Sequence, residues 1–163
     1  MENTQHEHST VNPVRVGISH GDFNGISYEV ILKTLADQRI CDLCTPVIYG
    51  SSKIASYHRK ALNLPDYTIN VIKRTDQLNS RKPNIMNVSN EEARIELGKS
   101  TEQAGEYAFA ALEKAVQDLQ EKRIDVLVTG PINKKNIQSS QFRFPGHTEY
   151  LANSFQATNH LML

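Results

Sequence analysis

The stretch STEQAGEYAFAALEKAVQDLQEKRIDVLVTGP, residues 100–131, decides the fold. Ser100-Thr-Glu-Gln103 fits a capping box, in which a hydroxyl and a Glu or Gln satisfy the first free N–H groups of a helix. Behind it, Ala104, Tyr107, Ala108, Ala111, Leu112, Ala115, Val116 and Leu119 recur at helical spacing. They form one apolar stripe on a long helix, with Glu106, Glu113, Gln117 and Gln120 on the polar face. Residues 124–129, IDVLVT, then read as a strand apolar on both faces. That pattern suits a central strand of a parallel sheet covered by helices.

Upstream, the same alternation repeats. Val14–Ser19 is rich in β-branched residues and reads as a strand. Residues 20–25, HGDFNG, carry turn chemistry. Residues 26–35 follow as a helix with Ile26, Val30, Ile31 and Leu35 on its apolar face. Residues 46–50 form a short buried strand, and Ser51 can cap a helix running to about Asn63. Residues 67–72 give a third strand, 73–84 a polar loop, and 84–88 a further short strand. Strands alternating with helices imply an α/β fold with layered helices and sheet.

The 163 residues suffice for one domain with a proper core. Lys plus Arg and Asp plus Glu balance at 18 each, which argues against a broad basic surface for nucleic acid or anionic lipid. No apolar run approaches the roughly 20 residues that span a bilayer. The start, MENTQHEHSTVNP, is polar, lacks the apolar core of a signal peptide, and is expected to be a disordered tail over residues 1–13. Its His6 and His8 have no companion ligand nearby. Cys41 and Cys44 precede a strand rather than open a helix, so they read as structural thiols, not a redox pair. With no signal peptide, this points to the cytoplasm.

Two segments leave strands with the composition of a ligand site. Residues 19–26, SHGDFNGI, place glycines at 21 and 25 before a helix, where backbone N–H groups could approach an anion. Taken alone, the loop reads first as a plain strand-to-helix turn, with His20 and Asp22 as capping groups. The segment is neither GxGxxG nor GxxxxGK[ST]. In the second segment, Gly130-Pro131 is followed by Lys134 and Lys135 on a short helix. Pro145-Gly146 then turns into His147, Thr148 and Glu149 at the start of a helix. An imidazole or hydroxyl beside free N–H groups suits a phosphate or carboxylate. The alternative is Thr148 as N-cap, Glu149 as dipole partner and the lysines as solvated charges. His58, on a polar helix face, and His160, beside an apolar strand, read as structural.

Thr129-Gly-Pro-Ile-Asn-Lys134 followed by Phe144-Pro-Gly-His-Thr-Glu149 resembles the 4-hydroxythreonine-4-phosphate dehydrogenase family of vitamin B6 biosynthesis. Members carry T-G-P-x-x-K and G-H-T-E at about this spacing, and open with T-P-G-[DE]-P-A-G-I-G-P-E. In the matching loop Gly21, Asp22, Gly25, Ile26 and Glu29 fit, whereas His20, Phe23, Asn24, Ser27 and Tyr28 depart. The resemblance covers almost all of the chain after the tail.

The resemblance implies an isocitrate/isopropylmalate dehydrogenase-like α/β/α fold in a homodimer. It implies NAD-dependent oxidation of 4-phosphohydroxy-L-threonine and decarboxylation to 3-amino-2-oxopropyl phosphate, with a divalent metal ion polarising the substrate oxygens. The family's substrate-contacting His and Thr carry over to His147 and Thr148. Its three metal-binding histidines and most of its NAD site would fall beyond Leu163. Family members are roughly twice this long, beyond one typical domain length. Glu149 to Phe155 looks helical and residues 160–163 look like the opening of a strand. The chain is therefore expected to be the front part of a longer protein, and inactive alone. A dehydrogenase of 4-phospho-erythronate or 4-phospho-threonate would use the same two residues. A non-catalytic module binding a phosphorylated metabolite or a partner protein is the third possibility.

Overall fold

The computed structural model describes residues 13–64 and 67–160. The tail with His6 and His8 lies outside them except for Pro13, as do residues 161–163 of the expected last strand.

Five parallel strands form one sheet in the order β3-β4-β2-β1-β5. In chain order the elements are β1 (Val14–Ser19), α1 (Ser27–Leu35), α2 (Arg39–Leu43), β2 (Cys44–Gly50), α3 (Ser52–Ala61), β3 (Asn70–Ile72), β4 (Asn84–Asn87), α4 (Glu102–Gln120), β5 (Val126–Thr129) and α5 (His147–Ser154). A single 3₁₀ turn, Thr75–Gln77, lies in the loop after β3.

Side-chain alternation along the strands builds three layers. Ile48 and Ile85 face α1 and α3 and pack with Tyr28, Leu32, Ile54 and Ala55. Val47, Tyr49 and Met86 face the other way, onto Ala111 and Ala115 of α4. A third cluster lies on the outer side of α4, where Phe109, Leu112 and Val116 meet Ile137 and Phe142. Helix α4 is thus buried on two sides, not along one stripe, and its long apolar run reflects that double duty. No helix among the described residues is long and apolar enough to cross a membrane.

Four expectations are corrected. Strand β5 is at the edge of the described sheet, not its centre. It pairs with β1 alone, and Val126 and Val128 are 44% and 52% exposed. Helix α1 is rotated from the expected face: Ser27, Tyr28, Ile31, Leu32 and Leu35 are buried, while Ile26 and Val30 are exposed. The α4 cap is Thr101, whose hydroxyl accepts from the Ala104 N–H at 3.3 Å. Gln103 turns aside to accept from the Arg94 N–H. His58 is buried, because its ring stacks on Tyr28 at 5.2 Å and 12° and its Nε2 sits 2.8 Å from the Phe23 carbonyl oxygen. Ser51 caps α3 as its sequence indicates, accepting from Ile54. Cys41 and Cys44 are free, and burial pushes both thiols up from their ordinary pKa.

Candidate functional site

Strand order reverses at β1. The chain leaves β1 towards α1 on one face of the sheet and leaves β5 towards the segment packed outside α4 on the other. Such a reversal opens a crevice beyond the carboxyl ends of the two strands, where open α/β sheets bind ligands. The two loops there are the ones singled out in the sequence, and the fold joins them.

The joint is made through backbone. Gly21 adopts φ +70°, and a Cβ there would come 2.2 Å from the Pro131 carbonyl oxygen. Only glycine fits so close an approach in the left-handed region. The Asp22 N–H donates to the same Pro131 oxygen at 2.8 Å. The buried Asp22 carboxylate accepts from the Asn24 N–H at 2.8 Å and from Asn136 Nδ2 at 3.3 Å. Asn24 secures a third segment: its Oδ1 accepts from the Glu96 N–H at 2.7 Å, and its Nδ2 donates to Thr101 Oγ1 at 3.0 Å.

The departures from the family's loop pattern pack on one another. The His20 ring lies 5.2 Å from Tyr28 and 6.4 Å from Phe23, and the Ser27 hydroxyl donates to the His20 carbonyl. His20 is fully buried, and burial lowers its pKa to about 4, so its ring is neutral at pH 7. The plain-turn reading of His20 as a capping group fails: neither ring nitrogen has a hydrogen-bond partner.

Beyond Pro131, the expected short helix at Lys134 and Lys135 is a single turn. Asn133 Oδ1 accepts from the Lys135 and Asn136 N–H groups, and Ile137 N–H closes onto the Asn133 carbonyl. Such side-chain bonding by Asn competes with helix propagation. Phe142 and Phe144 then join Phe109 and Tyr150 in an aromatic cluster with centroids 5.4–5.9 Å apart. That cluster seats the Pro145-Gly146 turn and the start of α5.

Gly146 is the N-cap of α5, and no side chain caps the helix. Thr148 therefore lies inside the first turn rather than at the cap, and the leading N–H groups, at the positive end of the helix dipole, have no side-chain cap. His147 and Thr148 are half-buried. Burial, and then the charge of Lys134, hold the His147 imidazole below its usual range, and its enclosed Nε2 has no partner. A Cβ on Gly146 would sit 3.9 Å from Lys134 Cε, so the lysine stem lies over the helix start.

Among the described residues, the buried side-chain polar atoms without a partner are Ser19 Oγ, both His20 ring nitrogens, Asn136 Oδ1 and His147 Nε2. All belong to the end of β1 or to the two loops. Buried polar groups are otherwise nearly always paired, so this concentration marks one end of the sheet. Asn24 and Asn136 carried no sequence signal, since their partners are 77 and 114 residues away. The clefts of about 650 and 330 Å³ lie on the flank of α4 and beside Arg74 and contain neither His147 nor Thr148. No three His, Cys, Asp or Glu side chains converge as metal ligands among the described residues.

The family model described as "Pyridoxal phosphate biosynthetic protein PdxA" matches residues 42–163. A 4-hydroxythreonine-4-phosphate dehydrogenase of Bacteroides thetaiotaomicron is 46% identical over 140 residues, covering 86% of this chain and 38% of the relative. A Clostridium botulinum protein provisionally named a D-threonate 4-phosphate dehydrogenase is 29% identical over 140 residues, covering 84% of this chain and 42% of its own length. The chain thus spans about two-fifths of the length of these relatives. The crystal structure of a 4-hydroxythreonine-4-phosphate dehydrogenase from Burkholderia phymatum superposes with a TM-score of 0.81 at 24% identity, covering 91% of this chain and 46% of that one. At that identity the likeness concerns the fold.

Proposed function

Because the chain belongs to the pyridoxal phosphate biosynthetic protein PdxA family, we propose that its β1–β5 rim is the phosphate-binding wall of a 4-hydroxythreonine-4-phosphate dehydrogenase. The observation that carries this reading is the uncapped start of α5. There His147 Nε2 has no partner, Thr148 stands in the first turn, the Lys134 stem lies over Gly146, and no side chain caps the helix. A phosphate dianion gains from each of them: the helix dipole, a charge-assisted bond from lysine, and hydrogen bonds from neutral side chains.

In the proposed reaction the substrate carbinol loses a hydride and a proton, and the resulting β-keto acid loses carbon dioxide. NAD would supply the hydride acceptor and a divalent ion would polarise the substrate oxygens. The described residues compose neither of those sites by themselves. Their part is to bind and orient: Lys134 and the α5 N–H groups anchor the phosphate, while His147 and Thr148 set the angle at which the carbinol projects from it. A homodimer in the cytoplasm belongs to the same proposal. The D-threonate 4-phosphate name of the Clostridium relative favours a second reading, in which the same wall holds a phosphorylated hydroxy acid without an amino group.

The test has two arms. In this chain, 4-phosphohydroxy-L-threonine should perturb the NMR signals of His147 and Thr148, and His147→Ala should abolish the response. In the complete gene product, NADH formation should be faster with that compound than with D-threonate 4-phosphate. His147→Ala should lower kcat/KM by roughly 10²-fold or more with little loss of stability. Unchanged activity in a folded His147→Ala protein would remove His147 from the site.

A further inference from the structure

Asp22 is 8% exposed, yet forms no ion pair among the described residues. A carboxylate taken out of water without a cation is costly unless hydrogen bonds hold it. Those that do are aimed in two directions: the Asn24 N–H lies within its own loop, and Asn136 Nδ2 comes from the other loop. Asn136 is in turn pinned from behind, since a Cβ on Gly105 of α4 would fall 1.9 Å from its carbonyl oxygen. Between Asn133 and Ile137 the chain makes the one turn that carries Lys134, and that turn's exposed side leads to Gly146.

We propose that Asp22 and Asn136 are positioning residues of the anion subsite: the bond between their side chains ties the β1 loop to the 133–137 turn and so holds Lys134 over the N-terminus of α5, beside His147. This rests on reading that terminus as a phosphate subsite, but the latch itself can be tested without any ligand. The lysine is exposed and long, and a free ammonium group prefers water to a position beside an imidazole. Fixing its Cα and stem reduces the entropy lost when phosphate arrives, which is how a remote contact strengthens a subsite it never touches. The rival account is that Gly105 and the buried Ile137 hold the turn unaided, leaving the Asp22–Asn136 bond incidental.

The experiment follows the titration of His147 by NMR in the chain as it stands. Lys134 and Glu149 are the charged groups beside the Gly146–His147 turn, so the imidazole reports where the ammonium group lies. Lys134→Ala should raise the His147 pKa. Asn136→Ala, which removes no charge, should raise it by a similar amount and add nothing in the Lys134→Ala background. Asp22→Ala should raise it too, although loss of a nearby carboxylate would by itself lower an imidazole pKa, so the sign separates the two causes. The exchanged pair, Asp22→Asn with Asn136→Asp, rebuilds the bond with donor and acceptor reversed and should bring the value back towards wild type. An Asn136→Ala protein that titrates like wild type while Lys134→Ala does not would overturn the latch, as would a Lys134→Ala protein with unaltered His147. If the latch variants shift His147 as stated but 4-phosphohydroxy-L-threonine and inorganic phosphate leave the residue unperturbed, the latch stands and the phosphate reading of the subsite falls.

Discussion

The Tyr49 hydroxyl donates to Asp118 Oδ2 at 2.8 Å, and Lys114 and Arg123 reach the other carboxylate oxygen at 2.8 and 3.1 Å. Asp118 is 1% exposed and sits near the C-terminus of α4, where the helix dipole disfavours a negative charge. The two cations and the tyrosine offset that cost. Burial, and then the bond to Asp118, push the Tyr49 phenol well above its ordinary pKa, so it is a donor at neutral pH. Tyr49→Phe should destabilise the protein by about 2 kcal/mol, the scale of a hydrogen bond to a buried charged group, read as a lower urea midpoint. An unchanged midpoint would mean that Lys114 and Arg123 suffice. Helical spacing puts Asp118 on the apolar stripe, three residues after Ala115 and seven after Ala111, whereas Glu113 and Gln117 lie on the solvated face, but it does not reveal what the buried carboxylate meets. Its burial depends on a tyrosine 69 residues away.

Elements were legible where their signals were local. The strand Val14–Ser19, the Ser51 cap and the start of the long helix all follow from neighbouring residues. Which of two adjacent hydroxyls caps α4 did not, because Thr101 is selected by its second bond, from Asn24 in the β1 loop. Thr101→Ala should therefore cost about 1 kcal/mol for the cap, together with the loss of the Asn24 contact. Ser100→Ala should be close to neutral, as surface substitutions away from a cap usually are. Denaturant melts of the two variants decide between the caps, and equal losses would contradict the assignment. The rotation of α1 has a similar origin. The stack of His20, Tyr28 and His58 draws position 28 inward, and Ile26 and Val30 are turned out as a consequence.

At the scale of the molecule, a buried neutral histidine makes folding depend on pH. The folded pKa of His20 is about 4 against an ordinary value of 6.5. Below pH 6.5 the unfolded chain takes up a proton that the folded chain refuses. Stability is thus full above pH 6.5 and falls as pH drops towards 4, by about 3 kcal/mol from this residue. His58, lowered in the same direction by burial, adds to the loss. Urea midpoints at pH 7.5 and 4.5 should converge in His20→Phe relative to wild type. Equal slopes in the two proteins would show that His20 is not buried in its neutral form. Alternating strands and helices, the switch from β-branched to helical periodicity and the chemistry of the G-H-T-E turn were written in short-range pattern, and they determined the α/β class, the family and the helix that starts at His147 and Thr148. The tertiary structure alone decided that β5 lies at the edge, that His58 is buried, and that Asp22 meets Asn136. Such features depend on which distant segments meet, and hydrophobic periodicity records only that a face is covered, never what covers it.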